Sequence, residues 1–595
     1  MKIRILSLLL IALTLGACED FLTRDPMDTV TDTPDFWNNE ENIRTTMYRF
    51  YDVYFEGYRQ GWERTDWYSE TNIADWVDDN AQQEATFFTI AAPDKETDVA
   101  STKNDERNWT FSYVRELNLI LNRVENSALN DETKQHWMGV TRFLRAMEYA
   151  KLVLKFGDVP YYTEVLENSD LESLYKPREA RTVVMDKVLE DLHYAQQHVR
   201  TADGTAGVTI NKAVVYAYTT RIMLFEGTWQ KYHAKNNEYA IKYLKEVKAA
   251  ADELISWNKY SLCDNYKDLT ISEDLANNPE IIIYRSYVTG VVTHSLMSFQ
   301  VTEPEINSPS KDLVDTYLST NGLPIHQVEN TEFLGDQWLA DEMTNRDPRL
   351  SAIIDTERLH LKNIEAVFAI SGYFGNRFVN DKLLDKVSTQ CITDAPVMKL
   401  NEVLMNYIEA VAELSTLGQH TLSPNDFDKS INVIRNRKST MMPHLKLDGS
   451  NLKVNGVIIN DPNRDADVSS ILWEIRRERR TELVYEGIRF NDLRRWGKLN
   501  YADMTLNTKL NLGAWLDKPR YVAWYNTQNP SNPITLETLS TITLDRAGNA
   551  GYIKPITSTD RMRKYANKDY LYPIPVDQIA LYKTKGKELV QNPGW

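Results

Sequence analysis

Between about residues 34 and 260, apolar positions recur at the three-to-four-residue spacing of a single helix face. Ile43, Met47, Phe50 and Tyr54 form the first stripe, behind Thr33-Pro34-Asp35, a plausible start signal. Phe111, Val114, Leu117, Leu121 and Val124 form the second, and Trp137, Val140, Leu144, Met147 and Leu154 the third. Met185, Val188, Leu192 and Ala195 follow. Ala213, Tyr216, Thr220 and Met223 come next, behind Asn211 as a good N-cap. Ala240, Tyr243, Val247, Ala251 and Leu254 make a sixth stripe. Successive amphipathic helices with short connections predict helical hairpins of the tetratricopeptide type, although the consensus residues of that repeat do not recur cleanly. Further helices are predicted near 399–417, 425–438 and 467–487, and Ile281-Ile282-Ile283-Tyr284 predicts a buried strand. Long irregular segments lie between them at about 57–106, 290–395 and 500–565. The predicted fold class is therefore mostly α: a frame of helical hairpins with large loop-rich insertions and a few short strands. Loops of that length are commonly functional, so the helices would be the frame and the loops the working surface.

The first residues follow a different pattern. Lys2 and Arg4 precede an apolar run, Ile5 to Leu15, broken only by Ser7 and Thr14. A membrane-spanning helix needs roughly 18–20 apolar residues, so the run fits the hydrophobic part of an export signal. Leu15-Gly16-Ala17-Cys18 then places small residues directly before a cysteine, like a bacterial lipobox, in which the thiol is acylated. The expectation is a lipoprotein signal peptide over 1–17, lipidation at Cys18, and a single composite body over 18–595. In that body, about 34–260 is the helical-repeat part with ligand loops. About 261–595 is a variable loop-rich part plus C-terminal helices. The alternative is an ordinary signal peptide that happens to contain a cysteine.

Charge narrows the partners. The chain carries 68 Lys and Arg against 85 Asp and Glu, a formal net charge of −17, and loss of Lys2 and Arg4 takes it to −19. No broad basic face is expected, which argues against a nucleic-acid partner. Glycine (23) and proline (21) are sparse, consistent with a helical frame. With Cys18 lipidated, Cys263 and Cys391 remain, either bridged or as two buried thiols. There is no Gly-rich phosphate loop, His-Glu-x-x-His zinc motif or Gly-x-Ser-x-Gly elbow, and no cofactor or metal is expected. Asp461, Asn463, Asp465 and Asp467 imitate a calcium loop, but Ala466 stands where glycine is needed and Leu472 where glutamate is needed.

Aromatic residues give a better lead. Beyond Gly57 and Gly61 come Trp62, Trp67, Tyr68 and Trp76, among Arg59, Glu63, Arg64, Asp66, Asn72 and Asp75. Flat aromatic faces stack on the C–H faces of sugar rings while neighbouring amides, carboxylates and arginines bind hydroxyls. These four are the candidate ligand-binding residues. The competing reading is that their rings pin a long loop to the body. Tyr521, Trp524 and Tyr525 form a weaker second cluster.

The C-terminal third carries a family resemblance. Ile475-Arg476-Arg477-Glu478-Arg479-Arg480-Thr481-Glu482-Leu483 runs through Val484-Tyr485-Glu486-Gly487 into Ile488-Arg489-Phe490-Asn491-Asp492-Leu493-Arg494-Arg495-Trp496-Gly497. Taken alone this is a charged helix, with Glu474/Arg477 and Arg479/Glu482 paired at i,i+3 and Gly487 as the stop. As a whole it resembles the characteristic segment of the SusD/RagB family of outer-membrane nutrient-binding lipoproteins. Cys18-Glu19-Asp20-Phe21-Leu22 resembles that family's mature start, and Ser308 to Tyr317, Asn321 to Ile325 and Asn345 to Leu350 its central segments. Ala395 to Ala410 and Tyr570 to Trp595 resemble later ones. The long loops depart from the pattern, so ligand identity does not carry over.

The resemblance implies a fold with four tetratricopeptide-like helix pairs and a role without catalysis. That role is oligosaccharide capture at the cell surface as the lid of a SusC-like TonB-dependent transporter, anchored to the outer membrane by lipid. Peptides or another non-glycan nutrient, delivered in the same way, are the alternative ligands. A glycan-degrading enzyme is the remaining alternative.

Overall fold

The computed structural model describes residues 32–62, 109–167, 169–302, 308–559 and 562–595, and the backbone of 76–77. Each predicted stripe becomes a helix. In chain order these are α1 (Glu40–Tyr48), α2 (Ser112–Glu125), α3 (Asp131–Phe156), α4 (Arg181–His198), α5 (Lys212–Trp229) and α6 (Asn237–Ser256). Later come α7 (Leu400–Thr416), α8 (Ser470–Glu482) and α9 (Arg489–Arg495). Asparagine side chains start several of them. Asn130 accepts from the Thr133 N–H, Asn211 from Ala213 and Val214, and Asn236 from Tyr239. Each such cap contributes about 1 kcal/mol. The first stripe is interrupted: the chain leaves helix after Tyr48 and resumes for one turn at Tyr51–Tyr54. Phe50 in the break is nevertheless fully buried with Ile43 and Met47.

Helix α3 packs between α2 and α4, α5 packs on α6, and α7 joins α5 and α6 to α8, giving the hairpin frame. At the α5–α6 crossing a Cβ on Gly227 would come within 2.8 Å of Leu244, so the two helices approach as closely as they do only because that residue is glycine. The main core runs through this frame and reaches the C-terminal segment at Ile574 and Leu589. A second core, built on Leu313, Tyr317, Ile353, Tyr373, Leu516 and Leu539, fills the loop-rich half. The predicted strand is present as β2 (Ile281–Arg285), antiparallel to β4 (Ala395–Lys399) and irregular in register. Two-residue strands β1 (Trp76–Val77) and β3 (Ser308–Pro309) also pair. The predicted helix over 425–438 is split into Pro424–Asp428 and Ile431–Arg435, because Ser430 leaves helical geometry and turns its hydroxyl back to the Asp426 carbonyl. Cys263 and Cys391 are both buried free thiols.

The charged helix α8 is interior. Glu474, Glu478 and Glu482 lie at i,i+4 spacing along one stripe and are all buried. Glu478 receives Arg435 and Arg349, each at 2.7 Å, and Glu482 receives Arg349 at 2.9 Å and Arg437 at 2.8 Å. On the opposite side Arg476 meets Glu413 of α7 at 3.1 Å, while Arg479 reaches Asp492 of α9 at 2.8 Å. Glu409 of α7 accepts from both Arg495 and the Trp496 indole. The Glu474–Arg477 pair forms as expected, but Arg479 and Glu482 do not pair with each other. Both are claimed by partners distant in sequence. The helix also ends at Glu482, before Gly487.

Breaking one partner of a buried pair costs about 3–5 kcal/mol, because the other charge is left desolvated. Glu478→Gln is expected to lose that amount in urea unfolding; a loss below about 1 kcal/mol would show that the pair is dispensable. Burial pushes the Glu409 and Glu478 carboxyls up, but the facing guanidiniums outweigh it and hold both at about 2. Unfolded, they titrate near about 4.3. Their stabilisation is therefore complete above about pH 5 and lost as pH falls towards about 2. Urea midpoints measured across that range are expected to fall less steeply for Glu409→Gln than for the parent chain.

Candidate functional site

After Tyr54 the chain turns through two residues of left-handed backbone, Gly57 (φ +55°) and Arg59 (φ +55°), and reaches a third at Gly61 (φ +57°). A Cβ on Gly57 would lie 2.9 Å from Ala395 and 3.0 Å from Arg285, so glycine lets this segment press against the β2–β4 pair. Tyr58 is buried there, stacked on Tyr287 at 6.0 Å and packed on His294 at 4.8 Å. The Gly61 N–H donates to the Thr293 carbonyl at 3.0 Å, and the Ser295 hydroxyl donates to the Gly61 carbonyl.

His294 stiffens this base. The Leu296 N–H donates to its Nδ1 at 3.1 Å, which leaves Nε2–H to donate to the Thr393 carbonyl at 3.0 Å. Burial lowers its pKa to about 3, so the ring stays neutral at any working pH. The His294 backbone exchanges hydrogen bonds with Cys391 in both directions.

Trp62 stands on this base. It is 51% exposed and meets buried Phe299 edge-on, with ring centroids 5.6 Å apart. Among the tryptophans whose side chains are described, it alone is exposed. Its indole N–H has no acceptor among the described residues. Trp76 is placed by its backbone, opposite Pro309 in the β1–β3 pair. Trp62 and Trp76 thus border the same stretch, 296–309. Trp67, Tyr68 and Cys18 lie outside the described residues. Arg59, a predicted hydroxyl binder, is committed to Glu56 at 2.6 Å. The residues that support Trp62, namely Phe299, His294 and Tyr287, were not legible as site residues, since each is isolated in a segment without periodicity.

In the second cluster, Tyr521 is core, whereas Trp524 and Tyr525 are half-buried on the helix Lys518–Gln528. The calcium-loop imitation is resolved by ion pairing: Asp461 pairs with Arg477, and Asp465 with Lys498 at 2.7 Å. Among the described residues no group of three His, Cys, Asp or Glu side chains is arranged to hold a metal ion. A cleft of about 250 Å³ between the 201–207 loop and Lys259, Tyr260 and 275–284 contains none of the predicted site residues. No described helix is long and apolar enough to cross a membrane.

A half-buried frame of helical hairpins, an interior arginine helix and an exposed tryptophan on a loop-rich half define a binding protein of the helical-repeat class. Comparison with known proteins is specific. Residues 305–595 match the family described as the SusD family, and residues 24–224 match one described as starch-binding associating with outer membrane. The chain belongs to the SusD/RagB family. It is 26% identical over 276 residues to SusD-like protein P25 of Formosa agariphila, 45% of this chain and about half (48%) of that relative's length. Its fold is similar to a SusD-like carbohydrate binding protein from Bacteroides fragilis, with TM-score 0.63 and 19% identity, covering 91% of this chain and 98% of that one. A second SusD-like protein of the same organism gives TM-score 0.62 at 18% identity, covering 96% of this chain and 100% of that one. A laminarin binding SusD-like protein gives 0.52 at 19%, covering 94% and 100%.

The two rings of the Trp62–Phe299 pair should separate in their cost. Trp62→Ala removes an exposed edge contact and is expected to cost no more than about 1.5 kcal/mol. Phe299→Ala empties a buried position and is expected to cost about 3–5 kcal/mol. Equal and large losses in urea unfolding would make Trp62 a scaffold residue.

Proposed function

We propose that this chain is a lipid-anchored, surface-exposed glycan-binding protein of the outer membrane. It captures oligosaccharide at the Trp62 corner and delivers it to a SusC-like TonB-dependent transporter, with no catalytic step of its own. The observation that carries the reading is the Trp62 indole, exposed and unpaired in a chain of this family, on a base fixed by buried rings and backbone hydrogen bonds. Holding a platform ring in place before binding lowers the ordering cost of stacking a sugar on it. Family membership supports the class of ligand, and the carbohydrate-binding and laminarin-binding relatives are consistent with it. Cys18 is the proposed lipid attachment, and Trp67, Tyr68 and Trp76 are proposed to extend the platform.

The test is calorimetry on a panel of neutral and acidic oligosaccharides, with oligopeptides as a parallel arm. Trp62→Ala is expected to weaken glycan binding at least about tenfold, or ~1.4 kcal/mol, with unchanged helical content. Trp67→Ala and Trp76→Ala are expected to weaken it in the same direction. Normal binding by all three variants would reject the platform. Product release from the glycan would identify an enzyme, and binding confined to oligopeptides would identify a peptide importer.

A further inference from the structure

Helix Lys518–Gln528 carries a surface that the Trp62 corner does not use. Trp338, far away in sequence, packs edge-on against Trp524 with ring centroids 5.9 Å apart. Trp524 in turn leans on Tyr521 at 5.3 Å, and Tyr521 is buried in the second core. This fixes the two half-buried indoles as a shelf. The Arg520 guanidinium lies over the Trp338 ring, 4.2 Å from its centroid. Arg520 is exposed and has no acidic partner among the described residues. The nearby Asp517 is spent on the helix start, where its carboxylate accepts from the Arg520 backbone N–H at 3.0 Å.

The hydrogen-bonding character of the shelf is one-sided. Arg520 offers only donors, as do the indole N–H groups of Trp338 and Trp524, and none of these has a described acceptor. In a chain with net charge −17, a guanidinium without a carboxylate is conspicuous. Every other arginine discussed above, from Arg59 to Arg495, has a carboxylate partner. Stacking on Trp338 holds the guanidinium plane in position, which reduces the entropy lost when it grips an anion in bidentate fashion.

We propose that Trp338, Trp524 and Arg520 form a second subsite that binds the anionic group of an acidic sugar. This rests on the glycan-binding reading and adds to it a charge class and a place. The shared chemistry is a planar or tetrahedral oxyanion on a sugar ring, supplied by either a uronate carboxylate or a sulfate ester. The aromatic shelf takes the ring and Arg520 takes the oxyanion.

The experiment measures binding of the whole purified protein to three probes: an oligogalacturonate, a sulfated carrageenan oligosaccharide and neutral laminarihexaose. Arg520→Gln is expected to weaken whichever acidic probe binds by about tenfold and to leave the neutral probe within about twofold. Raising NaCl from about 50 mM to about 500 mM is expected to weaken acidic-probe binding to the parent chain but not to the variant. A preference for one acidic probe tells carboxylate from sulfate. If neutral glycans bind while acidic ones do not, or if Arg520→Gln binds acidic probes normally, the subsite is overturned and the glycan reading stands. If no glycan of any class binds, both fall. Arg520 is exposed and unpaired, so a change in thermal stability is not expected to confuse the result.

Discussion

The constraint on which the structure depends is that charges taken out of water must be paired. Helix α8 brings a row of glutamates and arginines into the interior. Each can be tolerated there only if its partner arrives from one particular place in the chain. Arg349 comes from the loop-rich half, Arg435 and Arg437 from the segment after α7, and Glu409 and Glu413 from the frame itself. A small displacement of any of these would leave a desolvated charge uncompensated. The network therefore specifies how frame and loops sit on one another, whatever its net contribution to stability.

That specification extends to the binding corner. Arg437 bridges Glu482 of α8 to Glu280, the residue before β2. Glu486, just beyond α8, holds Lys399 at the end of β4 and Arg377 beside it. Both strands are thus tied to the same buried charges. From β2 the chain passes directly to Tyr287, on which Tyr58 stacks, and then to His294 and Phe299 beneath Trp62. An exposed ring in a long loop would ordinarily be mobile. Here its supports lead back, within a few contacts, to the most rigid part of the molecule.

Sequence and structure agree where periodicity is the governing physics. A helix that buries one stripe must repeat every 3.6 residues, and all six N-terminal stripes became helices. The exceptions come from geometry that periodicity does not encode. Ser430 breaks a helix through its own hydroxyl, and the chain leaves helix at Arg49 although Phe50 continues the stripe. Partner choice among charges was equally illegible: i,i+3 spacing placed Arg479 beside Glu482, but tertiary packing offered each a better partner. Within the site, Trp62 was legible because an aromatic after two glycines, among polar residues, has no obvious core to join. Phe299 and Trp338 were not, because a lone ring in an aperiodic segment carries no signal until the chain folds it against another.

The distribution of charge also bears on what such a body can bind. A net charge of −17 suggests a surface that repels anions, but at physiological salt the field of a distant charge is screened beyond about 8 Å. Recognition is then decided by the groups within that radius, not by the total. Much of the positive charge of this chain is consumed internally, by α8 and its partners, where no ligand meets it. A solvent-facing guanidinium that has escaped pairing, such as Arg520, is therefore worth more than its share of the total implies. Acidity of the whole and affinity for an acidic sugar at one point are compatible, provided that point keeps its cation free and its neighbours donor-only. Trp62, whose described surroundings include a ring and a committed ion pair but no free cation, suits a neutral sugar face instead. The two surfaces would then divide the chemistry of a substituted polysaccharide between them, one reading the ring and the other its charge.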